Sequence, residues 1–381
     1  MKNDKTPARP GSRLFSTMRI ENQGAHARRP AQEQDFLAIG YQCSKIRAAL
    51  LGAYDRGHRD LPWRRTSDPY AIWVSEVMLQ QTRALCVVPY YERFLGSFPT
   101  VHALAEAPLE RVLEHWSGLG YYRRARMLHE GAAAIALHRD GKLPRDPAEL
   151  RTIRGIGSYT AGAIASIAFG REEPAIDGNA TRVIARLCAF ETLDPKPIER
   201  VARLLVRGED PGSFNQALME LGQAICTPRN PSCSVCPVRE HCRARTLGKT
   251  GSIPPVRKKA AVKRWARVAI VARTHTAVLL ARRKPDVVFG GLWEPPGIDG
   301  KDIRAAEALA RDLLTTHGLS CVGHVRHLLS HRDVRVTVYE ARAPELLEKP
   351  ALPNEYCEIG WKRSNDRVAM STLAKRILGT G

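Results

Sequence analysis

Residues 36–54 carry apolar side chains at helical spacing, and the run is broken by Asp60-Leu61-Pro62-Trp63-Arg64. Asp68 and Pro69 then offer a cap and a first-turn proline for a second helix, on which Ile72, Trp73, Glu76, Leu79 and Gln80 fall on one side at three- and four-residue intervals. A further start is written in Asp146-Pro147-Ala148-Glu149, a cap, a proline and a glutamate placed to complete a capping box. The short helix it opens stops at Arg154-Gly155-Ile156-Gly157, where two glycines allow a tight turn with positive φ. Ser158 is the expected cap of the next helix, with Ala161, Ile164, Ala165 and Ala168 on a shared face. Asp177-Gly178-Asn179 begins another helix, and residues 212–222 read as one more. Beyond that the period changes: residues 268–271, 277–282 and 334–341 read as strands and 303–316 as an amphipathic helix. The pattern predicts a mostly α first part and a smaller α+β second part.

Composition adds tails, a linker and a partner class. At 381 residues the chain suits two domains rather than one core. Residues 1–35 are basic, with few large apolar side chains and no secretory core, so a disordered N-terminal arm is expected. Residues 245–266, rich in Lys, Arg, Gly and Pro, read as a basic, flexible linker. With 59 Lys and Arg against 39 Asp and Glu, the formal charge of +20 favours a polyanionic partner. No apolar run reaches the ~20 residues of a membrane span, so no membrane partner is expected. Nine cysteines make an odd set for disulfides, and a reducing, intracellular location is expected, cytoplasmic and nucleoid-associated if the source is prokaryotic.

Three features carry chemistry. The amides of Gly155 and Gly157 and the helix start behind them form a seat for a phosphate, reading no base. Asp177 puts a carboxylate at a helix N-terminus nearby, and Glu76, among apolar neighbours, is set for a raised pKa and general-acid work. Taken alone, Asp177 is equally an ordinary cap and Glu76 a helix glutamate at the surface. Cys226, Cys233, Cys236 and Cys242 are spaced C-x6-C-x2-C-x5-C. Zinc could use four thiolates, but its sites usually pair them in short knuckles, so the spacing favours an iron–sulfur centre.

Together these words resemble a known family. Residues 153–164 followed by Asp177 resemble the helix-hairpin-helix and aspartate of the endonuclease III superfamily of DNA glycosylases, and the cysteine spacing is similar to that superfamily's 4Fe-4S loop. Leu61-Pro62-Trp63-Arg64, Asp68-Pro69-Tyr70 and Ser75-Glu76-Val77-Met78-Leu79-Gln80-Gln81-Thr82 resemble the signature of MutY-type adenine DNA glycosylases. The resemblance implies that Glu76 is the catalytic acid, that Gln81 wedges into the duplex and that Tyr121, in Gly118-Leu119-Gly120-Tyr121-Tyr122, stacks beside the lesion. It also implies that Asn179 lies in the DNA-binding set, that Glu220 meets the adenine edge and that Tyr159 makes an auxiliary catalytic contact. The bifunctional members carry a lysine where Tyr159 stands, and tyrosine cannot form a Schiff base, so base removal without strand cleavage is expected. Gly290-Gly291-Leu292-Trp293-Glu294-Pro295-Pro296-Gly297 resembles the opening loop of the family's Nudix-like domain. Leu329-Ser330-His331 matches its lesion-reading loop, implying Ser330 as the 8-oxoguanine contact with His331 beside it. The following helix offers only Glu307 and Asp312 as acids, too few for the metal site of pyrophosphate hydrolysis.

The expected architecture is therefore a helix-hairpin-helix glycosylase domain over residues 36–244, with its cluster loop at 226–242, and a Nudix-like 8-oxoguanine recognition domain over 267–378. The expected activity is monofunctional hydrolysis of adenine from A:8-oxoguanine or A:G mispairs in double-stranded DNA, by a monomer carrying a 4Fe-4S cluster. A thymine/uracil mismatch glycosylase, or a pyrimidine glycosylase like endonuclease III, is the alternative within the superfamily.

Overall fold

A computed structural model describes residues 42–255, 261–342 and 344–379; the arm expected at 1–35 lies outside the described residues. The helical part runs α1 (Cys43–Gly57), α2 (Pro69–Leu79), α3 (Ala84–Ser97), α4 (Val101–Glu106), α5 (Leu109–Trp116), α6 (Arg123–Arg139), α7 (Pro147–Leu150) and α8 (Ser158–Phe169). It continues with α9 (Gly178–Cys188), α10 (Pro195–Leu205), α11 (Pro211–Ala224) and the short α12 (Arg243–Thr246). Asp68 caps α2 by accepting the Tyr70 and Ala71 amides at 3.1 and 3.2 Å. Contrary to the one-sided pattern, α2 is buried from Tyr70 to Met78, as a helix enclosed by its neighbours must be.

Two cores divide these helices. One gathers Trp73, Phe94, Trp116 and Ile164 from α2, α3, α5 and α8. The other gathers Ile46, Ile184, Val201 and Phe214 from α1, α9, α10 and α11, with Cys226, Cys236 and Cys242 packed at its edge. Where they meet, α11 lies close against α9: a Cβ on Gly222 would stand 2.7 Å from that of Asn179, so only glycine allows the approach.

The second part begins with β1 (Lys263–Val271), β2 (Ala277–Arg283), β3 (Trp293–Glu294) and β4 (Gly297–Asp299), then α13 (Ile303–Leu313) and β5 (Leu314–Thr315). It closes with β6 (Leu319–Leu328), β7 (Arg332–Ala341), β8 (Glu345–Leu346), β9 (Tyr356–Arg363) and α14 (Thr372–Ile377). The strands order as β4-β1-β7-β6, β3-β2-β9 and β5-β8, with β1 parallel to β7 and the remaining pairs antiparallel. The helix expected over 303–316 ends at Leu313, because residues 314–315 pair with β8.

The described ends of the linker are more firmly held than its composition implied, while residues 256–260 lie outside the described residues. Ile253 is buried in the second helical core, its carbonyl accepting from Arg186 at 2.7 Å, and Lys249 reaches Glu191 at 2.6 Å. At the other end, residues 263–266 already belong to β1 and pair with β7. Hydrogen bonds and burial therefore remove much of the freedom that Gly and Pro alone allowed.

The two parts also share a core. Leu292 and Ala369 of the second part lie 1% and 3% exposed within the first helical core, a burial worth roughly 2 kcal/mol for the leucine. Ser117 donates to the Met370 carbonyl at 2.8 Å, Tyr122 donates to the same oxygen at 3.3 Å, and Arg126 donates to the Gly290 carbonyl. An ion pair between Arg282 and Glu110 closes the seam.

Candidate active site

Glu76 sits in the middle of α2, 5% exposed, at the base of a cleft of about 1170 Å³. Tyr159, one residue into α8, donates its hydroxyl to Glu76 Oε2 at 2.7 Å, and the same hydroxyl lies 3.0 Å from Met219 Sδ. Burial pushes the Glu76 carboxyl up to about 7; the Tyr159 hydrogen bond opposes this, the nearby charge of Asp177 adds to it, and Arg64 opposes it again. A carboxyl poised there can give a proton and take one back near neutral pH. Burial and the same two carboxylates push the Tyr159 phenol well above its ordinary value, so it stays a neutral donor.

Asp177 faces the cleft from the start of α9. Its Oδ1 accepts the Ala180 amide at 2.7 Å and its Oδ2 accepts the Asn179 side-chain amide at 2.7 Å. Both bonds fix the carboxylate oxygens at the start of the helix. Asp177 thus caps α9 and also lines the cleft.

Glu220 occupies the wall formed by α11. Arg64 Nη2 stands 2.5 Å from its Oε2, a charge contact, while the Arg59 amide and Nε donate to Oε1 at 3.3 and 3.2 Å. Burial pushes its carboxyl up, but Arg64 and Arg59 outweigh this and the net shift is downward. Gln81 lies on the rim with φ 58, after α2 has ended. A second hollow of about 680 Å³ shares Ser158, Tyr159 and Gly178 with the cleft. Its own carboxylates, Glu173 and Glu199, are both paired with Arg203 at 2.9 Å, which leaves the unpaired acid chemistry in the first cleft.

The hairpin differs from its sequence reading in three ways. Gly155 has φ 89, but Gly157 is extended and open, with nothing within 4 Å of where a Cβ would stand. Gly157 is also the cap position of α8, so Ser158 lies inside the first turn and makes no side-chain cap bond. Asp146 does accept the Ala148 amide at 2.7 Å, but Glu149 turns to Arg139 instead of closing the box. Gly157 and the start of α8 nonetheless border the cleft, beside the acids.

Residues 209 positions apart meet at the seam between the two parts: the hydroxyls of Tyr121 and Ser330 are hydrogen-bonded at 2.5 Å. Tyr121 is 45% exposed with φ 50, and Ser330 and His331 form the turn between β6 and β7, where the Leu329 amide donates to the Arg332 carbonyl at 2.8 Å.

Several residues of the site are absent from the sequence reading. Arg182 donates to Asn179 Oδ1 at 2.9 Å, to the Gly222 carbonyl at 2.6 Å and to the Cys226 carbonyl at 2.8 Å, while Arg186 donates to Cys226 Sγ at 3.2 Å. Asn179, Arg182 and Arg186 recur at helical spacing along α9, the signal that could have joined them. Arg59, Arg64 and Met219 come together only through the fold.

Burial, with the neighbouring cysteines, raises Cys236 to about 11 and also raises Cys242. Among the described residues no three such side chains close on a point that would hold a single metal ion. A cube gives each thiolate its own iron and spreads its ligands wider, and the Arg186 donor to Cys226 Sγ suits a bound thiolate.

Comparisons with known proteins agree with this geometry. The family described as HhH-GPD superfamily base excision DNA repair protein matches residues 74–207, the NUDIX domain matches 267–380, and the iron-sulfur binding domain of endonuclease III matches 226–242. The chain thus carries the 4Fe-4S site, with Cys226, Cys233, Cys236 and Cys242 as the donors it offers. A solved thermostable thymine-DNA glycosylase superposes with a TM-score of 0.51 at 28% identity, over 54% of this chain and 98% of that one. An adenine DNA glycosylase of Arabidopsis thaliana is 39% identical over 68% of this chain, which spans 48% of that relative's length. One of Mus musculus is 33% identical over 87% of this chain and 77% of its own length. With that identity over that share of the mouse protein, and with helical, cluster and Nudix matches along this one chain, the chain belongs to the adenine DNA glycosylase family.

Proposed function

We propose that this chain hydrolyses the N-glycosidic bond of adenine mispaired with 8-oxoguanine or guanine in double-stranded DNA, and leaves the strand uncut. The observation that carries the reading is the meeting of Glu76, Tyr159 and Asp177 in one cleft, with Glu76 buried and bonded to Tyr159 at 2.7 Å. A flipped adenine in the cleft takes a proton at N7 from Glu76, which makes the base a better leaving group. Asp177, its oxygens fixed by the Ala180 amide and the Asn179 side chain, faces the sugar as positive charge develops and stabilises it. Glu76, now a base, activates the water that completes the sugar, the division of labour between two carboxylates seen in glycoside hydrolysis. Tyr159 holds the Glu76 carboxyl in place, and Glu220, fixed by Arg59 and Arg64, meets the far edge of the base. Gln81 and Tyr121 enter the duplex, Gly155 and Gly157 seat a phosphate and Asn179 orients Asp177. Ser330 and His331 read the opposite base. The 4Fe-4S cluster, bound at Cys226, Cys233, Cys236 and Cys242, supplies a structural clamp on the loop that Arg182 and Arg186 tie to α9.

The mispair specificity and a monomeric state belong to the same proposal and rest on the family resemblance; a cytoplasmic location belongs to it as well and rests on the cysteine usage. A thymine or uracil mismatch glycosylase is the second reading, favoured by the likeness to the thymine-DNA glycosylase, which covers the helical part alone. Single-turnover base release from A:8-oxoguanine, A:G, T:G and thymine-glycol duplexes, with and without alkali, decides between them. Adenine release that yields breaks only after alkali is the expected result; thymine release, or strand cleavage without alkali, overturns it.

A further inference from the structure

We propose that the hollow of about 680 Å³ beside the catalytic cleft is a binding site for the freed purine base, which leaves through it while DNA still covers the cleft. This rests on the activity proposed above and gives the product a place that the activity alone does not assign.

The two spaces share a wall. Ser158, Tyr159 and Gly178 line both, and at Gly178 nothing lies within 4 Å of where a Cβ would stand, so no side chain closes that edge. From this wall the hollow reaches the surface: Pro174 and Ile198 in its lining are buried, whereas Arg151, Pro195 and Pro255 are exposed. Pro228 of the cluster loop and Pro254, next to the buried Ile253, complete it. An enzyme that flips a base into a pocket keeps the duplex against the pocket mouth. A base cut from its sugar there is shut in until the duplex leaves, unless a second way out exists.

The lining suits a neutral, flat heterocycle better than an anion. Pro174, Ile176, Leu193, Ile198 and Pro254 make it largely apolar, and Ser158 and Thr181 add hydroxyls that can meet ring nitrogens. Small-molecule sites have this make-up, at volumes of about 300–1,000 Å³. Its arginines are already engaged. Arg203 holds Glu173 and Glu199, each at 2.9 Å, Arg151 stands 3.9 Å from Glu173, and Arg182 donates to Asn179 and to the Gly222 and Cys226 carbonyls. A phosphate would have to break these pairs, whereas the freed base asks for no charge. Glu76 places a proton on N7, the bond to the sugar carbon breaks with both electrons staying on N9, and the base departs neutral.

The test uses the whole chain and a bead-bound duplex whose adenine, opposite 8-oxoguanine, carries tritium. Alkali-labile sites on the beads report bond cleavage, label in the filtrate reports escape of the base, and protein left on the beads reports enzyme still bound. With the wild-type protein, label is expected in the filtrate while the enzyme remains on the duplex. Thr181→Trp and Leu193→Trp fill the hollow from two sides and lie outside the lining of the cleft. Both are expected to cleave at the wild-type rate and to lose the early release, freeing label only as the enzyme leaves the DNA. Label that departs only with the enzyme in the wild type, or equally early in the two variants, overturns the proposal. Equilibrium dialysis of tritiated adenine against the DNA-free protein gives a reading that needs no cleavage. The tryptophan variants are expected to bind adenine at least about tenfold more weakly than the wild type; equal binding by all three, or none by the wild type, also overturns it. Should the wild-type protein yield no alkali-labile sites, the activity reading fails, while dialysis still tests the hollow.

Discussion

The cleft buries the acid at its base, whereas the seam leaves its two hydroxyls exposed. In the cleft, Glu76 is enclosed by α2 and its neighbours, and burial, helped by the nearby charge of Asp177, raises its carboxyl to about 7. At the seam, Tyr121 and Ser330 are exposed, and what matters is which hydroxyl meets which. The cleft itself repeats the contrast: Glu220, on the facing wall, has two arginines and is lowered where Glu76 is raised. Proton transfer needs a group held away from water, whereas recognition needs groups that water leaves only when DNA arrives.

Breaking the buried side has the largest effect. Glu76→Gln is expected to slow adenine release by about 10²–10⁴-fold, the range for loss of a general acid, and Asp177→Asn by about 10²–10³-fold, the loss of one preorganised charge contact. Duplex binding is retained in both. Gel-shift affinities alongside single-turnover rates check this, and adenine release at wild-type speed in either variant refutes its role.

Loosening the seam comes next. Leu292→Ala empties a site in the shared core, at a cost of about 2–5 kcal/mol. The expected outcome is a lowered melting transition together with a smaller preference for 8-oxoguanine over guanine. A lowered transition with the preference unchanged would separate the seam from recognition.

Smaller shifts sharpen the account of Glu76. Because the protonated form is the acid, the rate of adenine release is expected to fall as pH rises through about 7. Tyr159 donates to the carboxylate and so favours its charged form; Tyr159→Phe removes that donor, raises the Glu76 pKa and carries the alkaline limb upward. A limb that moves down, or stays, contradicts the assignment of direction.

Stability should report the same carboxyl. The folded-state pKa of Glu76 lies above its unfolded value, so the folded protein binds the extra proton and loses stability as pH rises from the ordinary glutamate value of 4.5 towards about 7. Glu76→Gln has no such dependence, so its melting temperature relative to wild type is expected to rise across that window. A constant difference from pH 5 to pH 8 would mean that Glu76 is ionised in the folded state throughout.

Legibility in the sequence followed the range of the interaction. Asp68, Asp146 and Asp177 were readable as caps because the amides they accept lie two or three residues away, and the cysteine spacing was readable because all four ligands fall within 17 residues matched by the iron-sulfur domain, 226–242. β6 escaped because it is an edge strand with Cys321, Val322 and Leu328 exposed, so its alternation lacks a clean apolar face.

What the residues determined by themselves is the list of parts: a glutamate in an apolar helix, an aspartate at a helix start, four spaced thiols, and two regions with different periods. Local spacing suffices for these, since each depends on neighbours in the chain. Only the tertiary structure decided that Tyr159 donates to Glu76 across 83 positions, that Arg64 lowers Glu220, and that Tyr121 touches Ser330 from the other part of the molecule. Those partners are chosen by how the cores pack, and no periodicity along the chain encodes a contact between two faces that meet only after folding.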